Sequence, residues 1–290
     1  MSKHLVLGAG PVGRHTAAEL RRRGEEVVVG SRSGRGAGPG VAMVALDATD
    51  ADAISRAADG VASIHNCLNP PQYHRWPQDW PPMAQALLVA AERCGAVLVT
   101  ASNLYAYGPV DGPMREGMPD AATHSKGMVR ARMWAEALAA HTAGRVHAVE
   151  VRASDYVGSG VGAGSHLNRL VPGMLQGRTA RVIGDADAAH TWTDVGDVGR
   201  TMAHLALTPA SWGRVWHAPS NPPRTQREAL TDICAAAGRP APKVAVIPRS
   251  VLRALGLVVP IVRELNGVAY QFDRPFVMDS SAAERDLGLA

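Results

Sequence analysis

Near its amino terminus the chain reads Leu5-Val-Leu-Gly8-Ala-Gly10-Pro-Val-Gly13. An apolar strand precedes the glycines and an amphipathic helix follows them, which is the order found in a dinucleotide-binding turn. In such a turn Gly8 permits the sharp bend, Gly10 lets the backbone approach a pyrophosphate, and Gly13 lets the helix pack on the strand. An ordinary glycine turn is the alternative. The motif predicts that five residues contact a dinucleotide: Gly8, Gly10, Pro11, Val12 and Gly13.

The residues after the second predicted strand select the dinucleotide. An NAD site usually has Asp or Glu there to bind the ribose hydroxyls, whereas this chain reads Ser31-Arg-Ser-Gly-Arg35. An arginine fork pairs with a 2′-phosphate, and serine hydroxyls add hydrogen bonds. We therefore predict NADP(H) in preference to NAD(H), with a solvated arginine loop as the alternative. The predicted contacts are Ser31, Arg32, Ser33 and Arg35.

Farther along the chain, short β-rich runs alternate with amphipathic helical patterns, which is typical of a parallel sheet covered on both faces. We predict strands at residues 4–7, 27–30, 41–46, 62–66, 97–101 and 146–152. The helical patterns span residues 12–23, 51–58, 83–94 and 124–141. A long loop rich in proline and tryptophan is predicted at residues 69–82. The sequence thus predicts an α/β fold of the Rossmann type, with a doubly wound parallel sheet.

The carboxyl-terminal part of the chain has weaker patterns. They predict helices at residues 167–176 and 194–207 and strands at residues 181–183 and 215–217. After Pro219 the composition changes to proline-rich loops, with short helices predicted at residues 226–237, 249–257 and 261–270. We predict that residues 1–152, completed by residues 177–217, form the dinucleotide-binding domain. Residues 153–176 and 218–290 would then form a small C-terminal substrate-binding lobe.

The composition narrows the class of protein. Hydrophobic residues make up 46% of the chain and charged residues 19%, a balance that builds a core and excludes a disordered chain. The apolar stretches are too short to cross a bilayer and no hydrophobic leader precedes the first strand, so we expect a cytoplasmic protein without membrane contact. The net charge of +4 comes with no basic run interleaved with aromatics, which argues against a nucleic-acid partner. No metal-ligand spacing occurs among the histidines and cysteines, so we predict no metal.

Several further stretches, together with the glycine turn, resemble the extended and atypical branches of the short-chain dehydrogenase/reductase superfamily, the epimerase/dehydratase-like proteins. They are Leu46-Asp-Ala-Thr-Asp50, Ser102-Asn-Leu-Tyr-Ala-Tyr-Gly-Pro109, Ser125-Lys-Gly127, Val151-Arg-Ala-Ser-Asp-Tyr-Val-Gly158 and Asp194-Val-Gly-Asp-Val198. The resemblance covers nearly the whole chain. It implies an enzyme that binds a nicotinamide dinucleotide.

The resemblance also implies a catalytic set. In the family, a serine or threonine after the fifth strand acts with a Tyr-x-x-x-Lys pair, whose spacing places both residues on one helix face. Lys126 matches the lysine that orients the nicotinamide ribose, but the tyrosine position is Ala122, which cannot transfer a proton. The serine position falls on Asn103, with Ser102 beside it, and we expect one of these to hydrogen-bond the reacting oxygen. A solvent-facing Lys126 is the alternative.

Other contacts follow from the same resemblance. We expect further cofactor contacts from the strand ends: Asn66, Cys67, Leu68, Ala153 and Ser154. Asp155 would face the substrate, although each of these residues could also belong to an unremarkable loop. Asp47 is predicted to accept from the adenine amino group or, alternatively, to cap the helix that opens at Asp50.

Because position 122 lacks a hydroxyl, a proton must come from elsewhere. The candidate donors are Tyr105, Tyr107, Tyr156, Asp155, His124 and His190. We favour Tyr105 and Tyr156, which lie in loops expected to border the substrate; tyrosines that only satisfy buried hydrogen bonds are the alternative. We also predict that Tyr73, Trp76 and Trp192 form walls of the substrate pocket, with a rigid connector packed by tryptophans as the alternative for residues 69–82.

These observations favour an NADP(H)-dependent oxidoreductase, or an epimerase/dehydratase-like enzyme, that acts on a small organic molecule such as one of secondary metabolism. Two alternatives remain open. One is a non-catalytic NADP(H)-binding regulator that senses redox state, which the missing tyrosine favours. The other is a non-redox enzyme on the same fold. The resemblance also implies a homodimer that pairs through the helical segments 83–94 and 124–141.

Overall fold

The computed structural model describes residues 1–38, 40–258 and 267–289, and a sheet of seven parallel strands lies at its centre. Six of these strands are β1 (Lys3–Leu7), β2 (Glu26–Ser31), β3 (Ala42–Ala45), β4 (Ser63–Asn66), β5 (Val97–Asn103) and β6 (Ala148–Ala153). The shorter strands that follow are β7 (Asp155–Val157), β8 (Ala180–Val182), β9 (Ala189–His190), β10 (Trp192–Asp194), β11 (Val215–His217), β12 (Arg224–Thr225) and β13 (Val244–Val246). The order in the central sheet is β11-β6-β5-β4-β1-β2-β3, which confirms the predicted doubly wound fold.

Helices cover both faces of this sheet. They are α1 (Pro11–Arg22), α2 (Ala51–Ala57), α3 (Trp76–Cys94), α4 (Ser125–Thr142), α5 (Val171–Leu175), α6 (Val195–Ala206), α7 (Gln226–Ala236) and α8 (Arg249–Val258), followed by short helices at Tyr270–Asp273 and Ser281–Leu287. Helices α1 and α6 pack together on one face, and α2, α3 and α4 pack side by side on the other. No helix in the described residues is long and apolar enough to span a bilayer.

Alternation along β1 explains the two layers of the core. Leu5 and Leu7 are fully buried against the side of α2 and α3, where they contact a cluster that includes Ile54. Val6 points to the opposite face and joins a cluster with Leu20 of α1. Successive side chains of a strand point to opposite faces, so a strand buried on both sides must be apolar throughout.

The connectivity places a crevice at the carboxyl end of β1. Strand β1 pairs with β2 on one side and with β4 on the other, so the chain reverses its winding direction at this point. Leu7 is in register with both Gly30 and Asn66, and the residues that follow all three strands therefore meet at one edge. Open α/β sheets bind ligands at such a switch point.

The prediction of a long loop at residues 69–82 is wrong. A short 3₁₀ turn at Tyr73–Arg75 leads directly into α3, which begins at Trp76 and continues through Pro81 and Pro82. Trp76 and Trp80 are one helical turn apart and both fully buried, so the packing of two large side chains on one face outweighs the hydrogen bonds that the prolines remove. A propensity-based prediction gives the prolines too much weight here.

Other boundaries in the carboxyl-terminal half also differ from the predictions. The helix expected at residues 167–176 is shorter, because Pro172 is accommodated in the first turn of α5, which begins at Val171. The sequence did not predict β13, which pairs in parallel with β8. For the helix predicted at residues 261–270, residues 261–266 lie outside the described residues.

Candidate functional site

The glycine turn between β1 and α1 has the geometry that its sequence predicts. Gly8 has a φ of +108°, and a Cβ there would lie 2.6 Å from the carbonyl oxygen of Cys67. A Cβ on Gly13 would overlap the carbonyl oxygen of Gly8. At Gly10, by contrast, a Cβ would meet no protein atom within 4 Å. The fold itself therefore requires Gly8 and Gly13, whereas Gly10 leaves open space in front of the α1 N-terminus, where a pyrophosphate fits.

A cavity of about 490 Å³ extends from this turn along the carboxyl edge of the sheet. It brings together most of the predicted site residues, namely Gly8, Gly10, Pro11, Val12, Ser31, Arg32, Cys67, Leu68, Tyr73, Trp76, Ser102, Asn103, Tyr105, Ala153, Ser154, Asp155 and Tyr156. The residues predicted to bind a dinucleotide and those predicted to contact a substrate thus line one continuous space. The lobe adds Gln271 and Phe276, and α4 adds Arg130; of these, the sequence pointed only to Gln271, within a stretch that could complete an apolar pocket.

Ser31 and Arg35 form a closed turn after β2. The Ser31 hydroxyl accepts from the Arg35 amide at 3.2 Å and donates to the Arg35 carbonyl at 3.1 Å. Arg32 and Ser33, between them, are exposed, and of these two only Arg32 lines the cavity. The Ser31 hydroxyl thus shapes the loop, and the Arg32 guanidinium is the group that can reach a phosphate.

Asp47 and Asn66 have local roles in the structure. The Asp47 carboxylate accepts from the amide and the hydroxyl of Thr49 at 2.9 and 2.8 Å, and these hydrogen bonds lower its pKa. The cap of α2 is Asp50 itself, which accepts from the Ala53 amide, so Asp47 does not cap this helix as the alternative supposed. The Asn66 side chain is buried and accepts from the Leu68 amide at 3.3 Å.

Trp192, predicted to contact the substrate, lies in the core of the lobe. Its ring stacks on His190 with centroids 4.2 Å apart, and its indole N–H donates to the Arg224 carbonyl at 3.0 Å. Trp192 is absent from the cavity lining. The prediction is wrong because β9 and β10 turn this ring toward the lobe, where its N–H finds a backbone acceptor.

Ala122 and Lys126 do not share a helix face. Helix α4 begins at Ser125, where His124 accepts from the Gly127 amide at 3.2 Å, so Ala122 lies in the preceding loop. Ala122 is held there by its amide, which donates to the Ala106 carbonyl at 3.0 Å. Lys126 is buried rather than solvent-facing, and its Nζ lies 5.9 Å from the ring centroid of Tyr73, a residue of the cavity wall.

Asn103 and Ser102 are the two candidates for the serine position, and they differ in whether their side-chain polar atoms are available to bind a ligand. The Asn103 side chain accepts from the Tyr105 amide at 3.1 Å and so caps the short turn at Leu104–Tyr107. The hydroxyl of Ser102 is buried, lines the cavity and has no hydrogen-bond partner among the described residues. The hydroxyl of Ser154 has the same properties. Buried polar groups normally find partners, so these two hydroxyls fit a ligand in the cavity.

The favoured tyrosines are poor proton donors. The Tyr156 hydroxyl donates to the Ser102 carbonyl at 2.8 Å, and burial raises the pKa of Tyr156. Burial also raises the pKa of Tyr105 well above its usual value. Both hydroxyl groups are therefore weak acids. Tyr156 forms a hydrogen bond within the protein, which was the alternative to a role as proton donor.

Asp155 and His190 form a pair that can store a proton. Nε2 of His190 lies 2.7 Å from the Asp155 carboxylate, and Nδ1 lies 3.2 Å from the Gln271 carbonyl oxygen. A carbonyl and a carboxylate only accept, whereas a neutral imidazole has one N–H. Both hydrogen bonds are satisfied only when the pair carries an additional proton. Asp155 lines the cavity and His190 is buried behind it, so the pair lies beside the ligand space.

The model of the NAD dependent epimerase/dehydratase family matches residues 4–216. The chain therefore belongs to this family, which is a family of enzymes. A search among curated proteins finds no significant sequence match.

Solved structures are similar over almost the whole chain. The UDP-glucuronic acid 4-epimerase of Bacillus cereus has 15% identity and a TM-score of 0.78, and the match covers 99% of this chain and 93% of that one. DesIV, a dTDP-glucose 4,6-dehydratase from Streptomyces venezuelae, has 20% identity and a TM-score of 0.77, over 99% and 91%. The UDP-glucose 4-epimerase of Thermus thermophilus has 19% identity and a TM-score of 0.77, over 99% and 93%. At such identities the similarity concerns the fold.

Proposed function

We propose that this protein is an NADP(H)-dependent oxidoreductase of the epimerase/dehydratase family that acts on a small organic molecule. The observation that carries the proposal is the continuous cavity, which joins the open space at Gly10 to the unpartnered Ser102 hydroxyl and the Asp155 carboxylate. At one end, the open space at Gly10 has the features of a phosphate site. At the other end, Ser102 and Asp155 provide a hydroxyl and a carboxylate that could contact the reacting group of a substrate. The main alternative, a non-catalytic sensor, would not require the second end.

The dinucleotide would be held by the glycine turn, by Arg32 and by the buried Lys126. The relatives from Streptomyces venezuelae and Thermus thermophilus were solved with NAD. Our preference for NADP(H) therefore rests on this chain's own Arg32, in a loop that contains no acidic residue to bind ribose hydroxyls. When bound, a nicotinamide dinucleotide supplies or accepts a hydride.

The chain's own residues would manage the oxygen and the proton of the substrate. The Ser102 hydroxyl can donate to a substrate oxygen, because no group in the described part of the chain forms a hydrogen bond with it. The Asp155 and His190 pair can release its proton to a substrate and recover it later, which provides the function that Ala122 lacks. The aromatic walls at Tyr73, Trp76 and Phe276 would exclude water from these groups.

The coenzyme site is tested by Gly10→Ala. The protein has room for this methyl group, so the ligand-free variant should keep its melting temperature, whereas NADPH binding should weaken about tenfold or more. Calorimetry and thermal unfolding measure the two quantities on the same sample. Unchanged NADPH affinity in a stable variant would contradict the proposed position of the pyrophosphate.

The reaction class is tested by following NADPH absorbance, which should fall when NADPH reduces carbonyls or imines and rise when NADP⁺ accepts a hydride from nucleotide sugars such as UDP-glucose. Asp155→Asn should remove turnover while NADPH binding is retained, because only the proton store is changed. Asp187→Asn, at an exposed carboxylate, is the control and should keep wild-type turnover. NADPH binding without turnover of any compound in the wild type would favour a regulator.

A further inference from the structure

Arg130 is a buried cation that the proposed reaction does not use. Arg130 lies on α4 one helical turn after Lys126 and lines the cavity, and only 4% of its surface is exposed to solvent. Its Nε and Nη1 atoms are buried without a hydrogen-bond partner, and no carboxylate in the described part of the chain forms an ion pair with it. Arginine stays protonated in proteins, so this site holds a buried positive charge, which the Glu150 carboxylate attracts while forming its own ion pair with Arg152.

Aromatic rings surround this guanidinium without satisfying its donors. The central carbon lies 4.9 Å from the ring centroid of Trp76 and 4.2 Å from that of Trp80. The indole N–H of Trp80 is a third buried donor without a partner. Ring faces stabilise a cation, but they do not replace the hydrogen bonds that its N–H groups lost with water.

We propose that Arg130 binds a carboxylate group of the substrate in this cavity. This inference rests on the proposed function, which identifies the cavity as the substrate site. Planar guanidinium and carboxylate groups match in geometry and charge. A carboxylate carries a single negative charge, which one guanidinium neutralises. A phosphate monoester carries up to two, and the Asp155 carboxylate on the same cavity would repel the excess. The rings of Tyr73 and Tyr105 on the cavity wall suit an apolar group next to this carboxylate.

The test compares benzoate with benzamide, which has the same shape but no charge, and with phenyl phosphate. Binding is measured by calorimetry on the whole chain, with and without NADP⁺. Benzoate should bind at least about tenfold more tightly than benzamide, because the difference is one charged hydrogen-bonded pair. Phenyl phosphate should bind more weakly than benzoate.

Arg130→Met should abolish the preference for benzoate over benzamide. Arg130→Lys should retain part of the preference, since the charge remains and the fork is lost. Arg132→Met removes an exposed arginine from the same helix and should leave the preference intact. Equal benzoate affinities for the wild type and Arg130→Met, or tighter binding of phenyl phosphate than of benzoate, would overturn the proposal.

The results that would contradict the cofactor proposal differ from those that would contradict the Arg130 proposal. If NADP⁺ does not bind but benzoate binding still depends on Arg130, the anion site stands and the dinucleotide assignment is wrong. If NADP⁺ binds and benzoate does not bind the wild type, the anion site is wrong and the dinucleotide assignment stands.

Discussion

The surroundings of Arg152 on β6 differ from those of Arg130 on α4, although both guanidinium groups are buried. Arg152 forms two hydrogen bonds with Asp120, at 2.6 and 3.0 Å, and one with Glu150 at 2.7 Å. Its central carbon also lies 4.5 Å from the ring centroid of Tyr107. Arg130 has ring contacts and a longer-range attraction to Glu150. Among the described residues, carboxylates thus lie at hydrogen-bond distance from Arg152 but not from Arg130.

This difference separates a structural cation from a ligand-binding cation. The hydrogen-bond network around Arg152 continues from Tyr107 to His217 at 2.8 Å, and from His217 to the Asp279 carbonyl at 2.8 Å. It thereby ties the central sheet to the carboxyl-terminal segment. Within the described residues, the Nε and Nη1 atoms of Arg130 make no such hydrogen bonds, so they remain available to a ligand.

The largest effect is expected at Arg152. Arg152→Met leaves two carboxylates without their cation, so the free energy of unfolding should fall by about 3–5 kcal/mol. Urea unfolding measures the change. The exposed Arg132→Met is the control and should alter stability by no more than about 0.5 kcal/mol. A loss as small as that of the control would show that the network around Arg152 does not stabilise the fold.

The pH dependence of stability tests the same network. Burial lowers the pKa of His217 to about 4 from the ordinary 6.5, and its Nδ1 donates to the Asp279 carbonyl while Nε2 accepts from Tyr107. The unfolded state therefore binds the proton more readily, and stability falls as the pH is lowered through this range. At full protonation this group costs about 3 kcal/mol.

Urea unfolding across this pH range measures the loss. His217→Gln should reduce the loss of stability that occurs as the pH is lowered. Burial also lowers the pKa of His166, to about 4, so His166→Gln is the comparison variant and should remove a different part. A pH profile that neither substitution changes would contradict this assignment.

Arg130→Met is expected to have the opposite sign to Arg152→Met. Removing a buried charge whose Nε and Nη1 donors are unpaired among the described residues should stabilise the ligand-free protein by about 1 kcal/mol. Thermal and urea unfolding without ligand measure the change. A destabilised variant would mean that the contacts with Trp76 and Trp80 already offset the cost of burial, and the comparison between the two arginines would lose its basis.

An effect on coenzyme choice rather than on stability is expected at an exposed arginine. Arg32→Glu should weaken NADPH binding about tenfold more than NADH binding, because only NADPH has the 2′-phosphate. Fluorescence titration with both coenzymes measures the ratio. Arg21→Glu, on α1, is the matched control and should change the two affinities alike. An equal loss of both affinities in Arg32→Glu would refute the phosphate assignment.

The sequence was sufficient for the fold and for the glycine turn, since both depend largely on residues close together in the chain. Gly13 shows this best, because a Cβ there would overlap the carbonyl oxygen of Gly8 in the same turn. The helical start at Trp76 could not be predicted, because it depends on burial of Trp76 and Trp80 against distant segments.

The sequence by itself determined the glycine turn, the alternation of strands and helices, and the absence of a tyrosine at position 122. Only the tertiary structure decided which charged groups meet. Asp155 and His190 are 35 residues apart in the chain, and Arg152 and Asp120 are 32 apart. The local sequence shows an arginine at 130 and another at 152 without distinguishing them, because a counter-ion is supplied by whichever segments the folded chain packs beside each one.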